Sequence, residues 1–99
     1  MPGGGFRVKW LKAALRNMEA LEAFIVQHDP GAAASVIRSI YGSVMRLERY
    51  PAMGRPGRVF GTRELVIPGT PYIVPYRARG KQIEILRVFH SAMRWPDRL

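Results

Sequence analysis

The run Tyr50-Pro51-Ala52-Met53-Gly54-Arg55-Pro56-Gly57-Arg58-Val59-Phe60-Gly61-Thr62 divides the 99-residue chain into two halves of different periodicity. Pro51 disfavours helical geometry at Tyr50 and has no backbone N–H to donate, so a helix arriving from the N-terminal side ends near Tyr50. Two prolines, three glycines and the bases Arg55 and Arg58 make residues 51–62 an exposed loop.

Upstream of it, Phe6, Val8 and Trp10 alternate with Arg7 and Lys9, the period of a strand with one buried face. From Leu11 the spacing changes to three and four residues: Leu11, Leu15, Met18, Leu21 and Ile25 predict a helix running to about His28. Asp29-Pro30 then reads as an N-cap followed by proline at the first helical position, which opens a second helix. Its apolar stripe is Val36, Ile37, Ile40, Val44 and Leu47. It is interrupted at Gly42, a residue expected to mark close packing. So short a turn between two helices makes an antiparallel hairpin.

Downstream, residues 63–67, 71–79 and 82–89 are rich in β-branched and aromatic side chains, and the turn dipeptides Pro68-Gly69 and Gly80-Lys81 separate them. They predict three meander strands. Pro75 argues against a regular central strand and predicts a bulge or an edge position. The order is strand, helix, helix, strand, strand, strand. This is an α+β fold, β-α-α-β-β-β, in which a helical hairpin covers one face of a small, mostly antiparallel sheet.

The length fits one domain over residues 1–99, with residues 1–5 as a flexible lead-in and a short tail from Ser91 to Leu99. A domain of this size has a marginal core that a bound partner stabilises readily. No stretch reaches the roughly 18–20 uninterrupted apolar residues of a membrane span, and no secretory signal is evident, so a cytoplasmic protein without a membrane partner is expected. Cysteine is absent, and His28 and His90 alone cannot form a zinc site, so neither metal nor cofactor is expected. The charge of +9 and the pI of 11.1 point to polyanionic or acidic partners. Only Lys9, Lys12 and Lys81 among the 16 bases are lysine, and the arginine fork suits bidentate contacts to phosphate or carboxylate.

The strings Trp10-Leu11-Lys12-Ala13-Ala14-Leu15, Tyr50-Pro51-Ala52-Met53-Gly54-Arg55-Pro56-Gly57, Thr62-Arg63-Glu64-Leu65, Tyr72-Ile73-Val74 with Tyr76-Arg77, and Ile85-Leu86-Arg87-Val88-Phe89-His90 follow one another along the chain. Taken in that order they resemble the RelE/ParE toxin superfamily, and in particular its ParE-like branch. The resemblance covers about residues 6–96. It implies the toxic member of a type II toxin-antitoxin pair, held in a hetero-oligomer by a cognate antitoxin that neutralises it and through which alone it meets operator DNA.

Two activities divide that superfamily. RelE-like members cleave mRNA on the ribosome, which needs groups that activate the ribose 2′-hydroxyl, stabilise the phosphorane and protonate the leaving oxygen. The candidates here are Arg77, Arg87 and His90. The set is incomplete: Tyr72 stands where one branch carries arginine, Ser91 rather than tyrosine follows His90, and no tyrosine lies beyond Tyr76. ParE-like members inhibit DNA gyrase by binding, and the resemblance places the target surface in the last strand and tail, at Arg87, His90, Arg94 and Trp95. A third reading is a non-toxic regulatory partner of an antitoxin. Structural roles stand beside these. Arg87 could pair with Glu64 or Glu84, Trp95 could pin the tail, and His28 suits the C-terminal end of a helix dipole.

Overall fold

The computed structural model describes residues 5–95 and Leu99. Most of the lead-in and residues 96–98 of the tail lie outside the described residues.

The first strand, β1 (Arg7–Trp10), turns Val8 and Trp10 toward the core and leaves Arg7 and Lys9 exposed. Helix α1 (Lys12–His28) follows. Its buried line is Ala14, Met18, Leu21 and Ile25, while Leu15, counted in the predicted stripe, is exposed. His28 closes the helix by a 2.8 Å contact between its Nδ1 and the Phe24 carbonyl, one of the terminal acceptors left over by the helical ladder. Helix α2 (Pro30–Met45) begins as expected, with the Asp29 carboxylate accepting from the Ala32 N–H and proline in the first turn. It ends earlier than the proline at position 51 required. A 3-10 turn, Arg46–Glu48, tightens the chain after Met45 and seats Leu47 in the core.

Gly42 does not mark close packing. It is exposed, and a β-carbon there would meet nothing within 4 Å. Gly42→Ala is therefore expected to stabilise the fold by about 0.5–1 kcal/mol, read as a rise of roughly 3–6 °C in melting temperature. An unchanged or lower melting point contradicts the assignment of this position as open.

Four further segments complete the predicted half: β3 (Arg63–Val66), β4 (Tyr72–Arg79), β5 (Gln82–Ile85) and the short β6 (Phe89–His90). A two-residue strand, β2 (Arg55–Pro56), lies inside the predicted loop and pairs with β3. The strand order is β1-β5-β4-β3-β2, with β6 also on β4. Among the described residues only the β1–β5 pair is parallel, its crossover supplied by the helices and the segments that follow them. The α+β arrangement holds, with two short strands added to the predicted order.

The region expected as one strand over residues 82–89 is broken, and Pro75 explains where. Tyr76 pairs with Ile85 and Ile73 with Phe89, so Val74 and Pro75 face three residues, Leu86, Arg87 and Val88. That is a bulge, on the strand opposite the proline. Pro75 accepts from the Leu86 N–H at 3.0 Å. Its missing donor points to the same edge, so a regular ladder cannot continue there. The edge position did not occur: β4 is central. Asn17 on α1 accepts the Val88 N–H at 3.0 Å, satisfying a donor near the bulge from outside the sheet. Glu48 does the same for the Val8 N–H of edge strand β1 at 2.8 Å.

The helices cover the face carrying Leu65, Tyr72, Val74, Tyr76, Ile83, Ile85 and Val88. Strand alternation puts Glu64, Ile73, Pro75, Arg77, Arg79, Glu84 and Phe89 on the other face.

Candidate functional site

The loop that divides the sequence is held from below. The buried Tyr76 hydroxyl accepts the Gly54 N–H at 2.9 Å and donates to the Pro51 carbonyl at 2.8 Å. Arg63 donates to the Gly54 carbonyl at 2.8 Å. Burial raises the Tyr76 pKa above the ordinary tyrosine value, opposed by the Gly54 N–H and the Arg63 charge. Position 54 must be glycine for a steric reason: an added β-carbon would lie 2.6 Å from the Tyr76 ring. The motif Tyr50-Pro51-Ala52-Met53-Gly54-Arg55-Pro56-Gly57 is thus a backbone built around one tyrosine.

Its consequence is to present two arginines to the helix-free face. Glu64 on β3 is only 4% exposed. One carboxylate oxygen accepts from Arg55 Nε and Nη2 at 3.2 and 3.1 Å. The other accepts the Arg58 backbone N–H at 2.9 Å and lies 3.4 Å from Arg58 Nε. The Arg58 guanidinium sits 3.8 Å from the centroid of the Trp95 ring, a cation–π stack. Trp95 packs in turn on Phe89 at 4.8 Å between centroids. A continuous path therefore joins Glu64, Arg58, Trp95 and Phe89, tying the loop to the tail. Trp95 Nε1 is buried without a hydrogen-bond partner.

The expected site residues are distributed over this frame. Trp95 packs between Arg58 and Phe89. Arg94 is exposed. Arg87 lies half-buried in the bulge and donates to the Leu86 carbonyl at 3.0 Å. The pairing expected for it is taken by other groups: Glu64 is held by Arg55 and Arg58, and Glu84 by Arg77 at 2.8 Å. That bond from Arg77 is the main cause holding the Glu84 carboxyl below its usual pKa. Burial opposes it, and the charges of Arg77, Arg79 and Lys9 add to the lowering. His90 is exposed, edge-on to Tyr72 at 5.6 Å, with Nδ1 accepting the Ala92 N–H at 3.1 Å.

Arg77 and His90 lie on opposite faces of the sheet, because His90 pairs with core-facing Tyr72 whereas Arg77 alternates with core-facing Tyr76. The structure does not bring Arg77, Arg87 and His90 to one point. Arg55, Arg58 and Glu64 were not among the expected site residues, although the spacing of Arg55 and Arg58 within the loop motif was a visible signal. On the helix side, His90 borders a groove lined by Asn17, Ala20, Leu21, Phe24, Tyr72 and Val88. Phe24 is 57% exposed there and stacks on His28 at 4.1 Å.

Known proteins share this frame. The chain is 46% identical over 91 residues to the Sinorhizobium fredii toxin candidate Y4kP, covering 92% of this chain and 94% of that one. It is 28% identical over 86 residues to the toxin RelE2 of Caulobacter vibrioides, covering 87% and 96%. Among solved structures, a chain of the chromosomal ParDE toxin-antitoxin system of P. aeruginosa superposes with a TM-score of 0.80 at 30% identity, over 86% of this chain and 95% of that chain. A chain of the toxin-antitoxin complex RelBE2 of Mycobacterium tuberculosis gives 0.59 at 29% identity, over 86% and 96%. The family model described as the ParE toxin of the type II toxin-antitoxin system parDE matches residues 8–95, from the alternation of β1 to the tryptophan stacked on Arg58. With the loop motif, the two-helix cover and the sheet all inside that span, this chain belongs to the ParE toxin family of type II toxin-antitoxin systems.

Proposed function

We propose that the chain is a single toxin domain acting in the cytoplasm by binding and inhibiting DNA gyrase, and that a cognate antitoxin neutralises it in a hetero-oligomer. One observation carries the choice of binding over cleavage. Cleavage of RNA by ribose 2′-hydroxyl attack requires a base, an acid and a phosphorane-stabilising cation around a single phosphate. Arg77, paired with Glu84, and His90, edge-on to Tyr72, occupy opposite faces of the sheet. The ParE family match supports the gyrase reading, and the toxin-antitoxin complexes among the structural neighbours support an antitoxin partner.

The target surface we assign is Arg87, His90, Arg94 and Trp95, at the β6 end of the sheet. Inducing the chain alone in cells is expected to produce gyrase-linked DNA breaks and altered plasmid supercoiling. Arg87→Ala and Arg94→Ala should each weaken gyrase inhibition by about fivefold or more, the loss of an interface anchor, with folding and antitoxin affinity retained. Normal supercoiling with ribosome-phased mRNA ends would show a ribonuclease instead. Harmlessness of the unmodified chain without antitoxin would show a regulatory partner.

A further inference from the structure

The helix-free face carries a second charged feature, away from Trp95. On β1, Arg7 and Lys9 point out because Val8 and Trp10 pack on the core. On β4, Arg77 and Arg79 point out because Tyr76 is core-facing. Strand β5 lies between them. The registers align Arg7 with Gln82 and Arg79, and Lys9 with Glu84 and Arg77. Two lines of cationic residues therefore run along the sheet, their Cα positions about 10 Å apart across β5 and roughly 7 Å apart within each line. Among the described residues Glu84 is the one carboxylate inside the square, and its bond to Arg77 fixes that side chain over the sheet. Arg7, Lys9 and Arg79 are exposed.

From this arrangement we infer that the β1–β5–β4 face is a binding surface for duplex DNA, contacted through its phosphates. An acidic protein partner is less well matched. Protein interfaces centre on buried apolar or aromatic anchors, and the four cations enclose only Gln82 and Glu84. Single strands call for stacking aromatics, of which the square has none. Base reading calls for an element that enters a groove, whereas this is the surface of a sheet. What remains is charge at phosphate-like spacing, which gives sequence-independent, salt-dependent contact. Two parallel lines of cations suit the two phosphate rows that border the narrow minor groove of B-form DNA. The wide, shallow minor groove of A-form RNA sets those rows differently. The inference rests on this face alone and not on gyrase being the target.

The test is binding of the purified chain to a random-sequence DNA duplex of about 20 base pairs, by fluorescence anisotropy across a salt series without gyrase. The triple variant Arg7→Gln, Lys9→Gln, Arg79→Gln is expected to bind roughly 10- to 100-fold more weakly at low salt, with the slope of log affinity against log salt reduced by about 3. A charge-matched triple on the helices, Lys12→Gln, Arg16→Gln, Arg38→Gln, should keep the parent slope. Should the first triple fail to melt cooperatively, Lys9→Gln and Arg79→Gln singly should each lower the slope by about 1. Equal losses in both triples would overturn the proposal in favour of diffuse charge. Tighter binding to an RNA duplex, or displacement of DNA by polyglutamate at equal charge concentration, would overturn it in favour of those partners.

Discussion

Tyr76→Phe is expected to lower stability by about 2–3 kcal/mol, a large share of the total for a domain of this size. The substitution removes one oxygen and creates no steric conflict, so the loss comes from the two backbone groups that the hydroxyl serves. The Gly54 N–H is buried and has its acceptor in Tyr76, and the Pro51 carbonyl has its donor there. An unsatisfied buried donor costs more than a hydrogen bond contributes, because water cannot replace the lost partner. Calorimetry or a circular-dichroism melt should show a fall of roughly 10–20 °C. A fall under about 3 °C would mean that water reaches Gly54 and that the tyrosine is not the loop's anchor.

Glu64→Ala acts on the other side of the same loop. Its carboxylate is nearly inaccessible and holds Arg55, the Arg58 guanidinium and the Arg58 N–H. Removing one partner of a buried pair typically costs about 3–5 kcal/mol. Both arginine side chains are half-exposed and regain water, so about 2–3 kcal/mol is expected here. The distinguishing readout is the tail. Arg58 loses the group that fixes it over Trp95, so Trp95 emission, recorded in a Trp10→Phe background, should shift to the red in the folded protein. Glu64→Gln keeps an acceptor for the Arg58 N–H and should recover part of the stability. Unchanged Trp95 emission in folded Glu64→Ala would show that Phe89 alone holds the tryptophan.

Local periodicity carried most of the fold. The alternation from Phe6 to Trp10, the Asp29-Pro30 helix start, and the turns at Pro68-Gly69 and Gly80-Lys81 all correspond to observed boundaries, because each depends on a few adjacent residues. What escaped depends on residues distant in sequence. The break after Ile85 is caused by Pro75 on the neighbouring strand. Leu15 turned outward because the sheet meets α1 along Ala14 and Met18 instead. Gly42, expected to mark close packing, faces open space instead, because only the position of its neighbours decides between the two.

The candidate site was legible in a weaker sense. Trp95 was visible as an aromatic near the terminus, but its cation partner, Arg58, could not be read from spacing because the loop has to fold back over β3 to bring them together. Arg87 was expected within one unbroken strand over residues 82–89, which the bulge interrupts. The basic square on β1 and β4 combines two i, i+2 pairs, Arg7 with Lys9 and Arg77 with Arg79. Each pair was plain in the sequence, but their alignment across β5 required the parallel register.

That parallel register also sets an order of events during synthesis. Strand β1 emerges from the ribosome first, yet its partner is β5, which follows both helices and the strands β2, β3 and β4. Until β5 has been translated the N-terminal strand has no ladder to join, and a contact so distant in sequence is slow to close. A chain interrupted before Ile85 lacks the complete strand that bridges β1 to β4 and lacks β6 altogether, so it has no basic square. An incomplete translation product is therefore expected to stay unfolded and open to proteolysis.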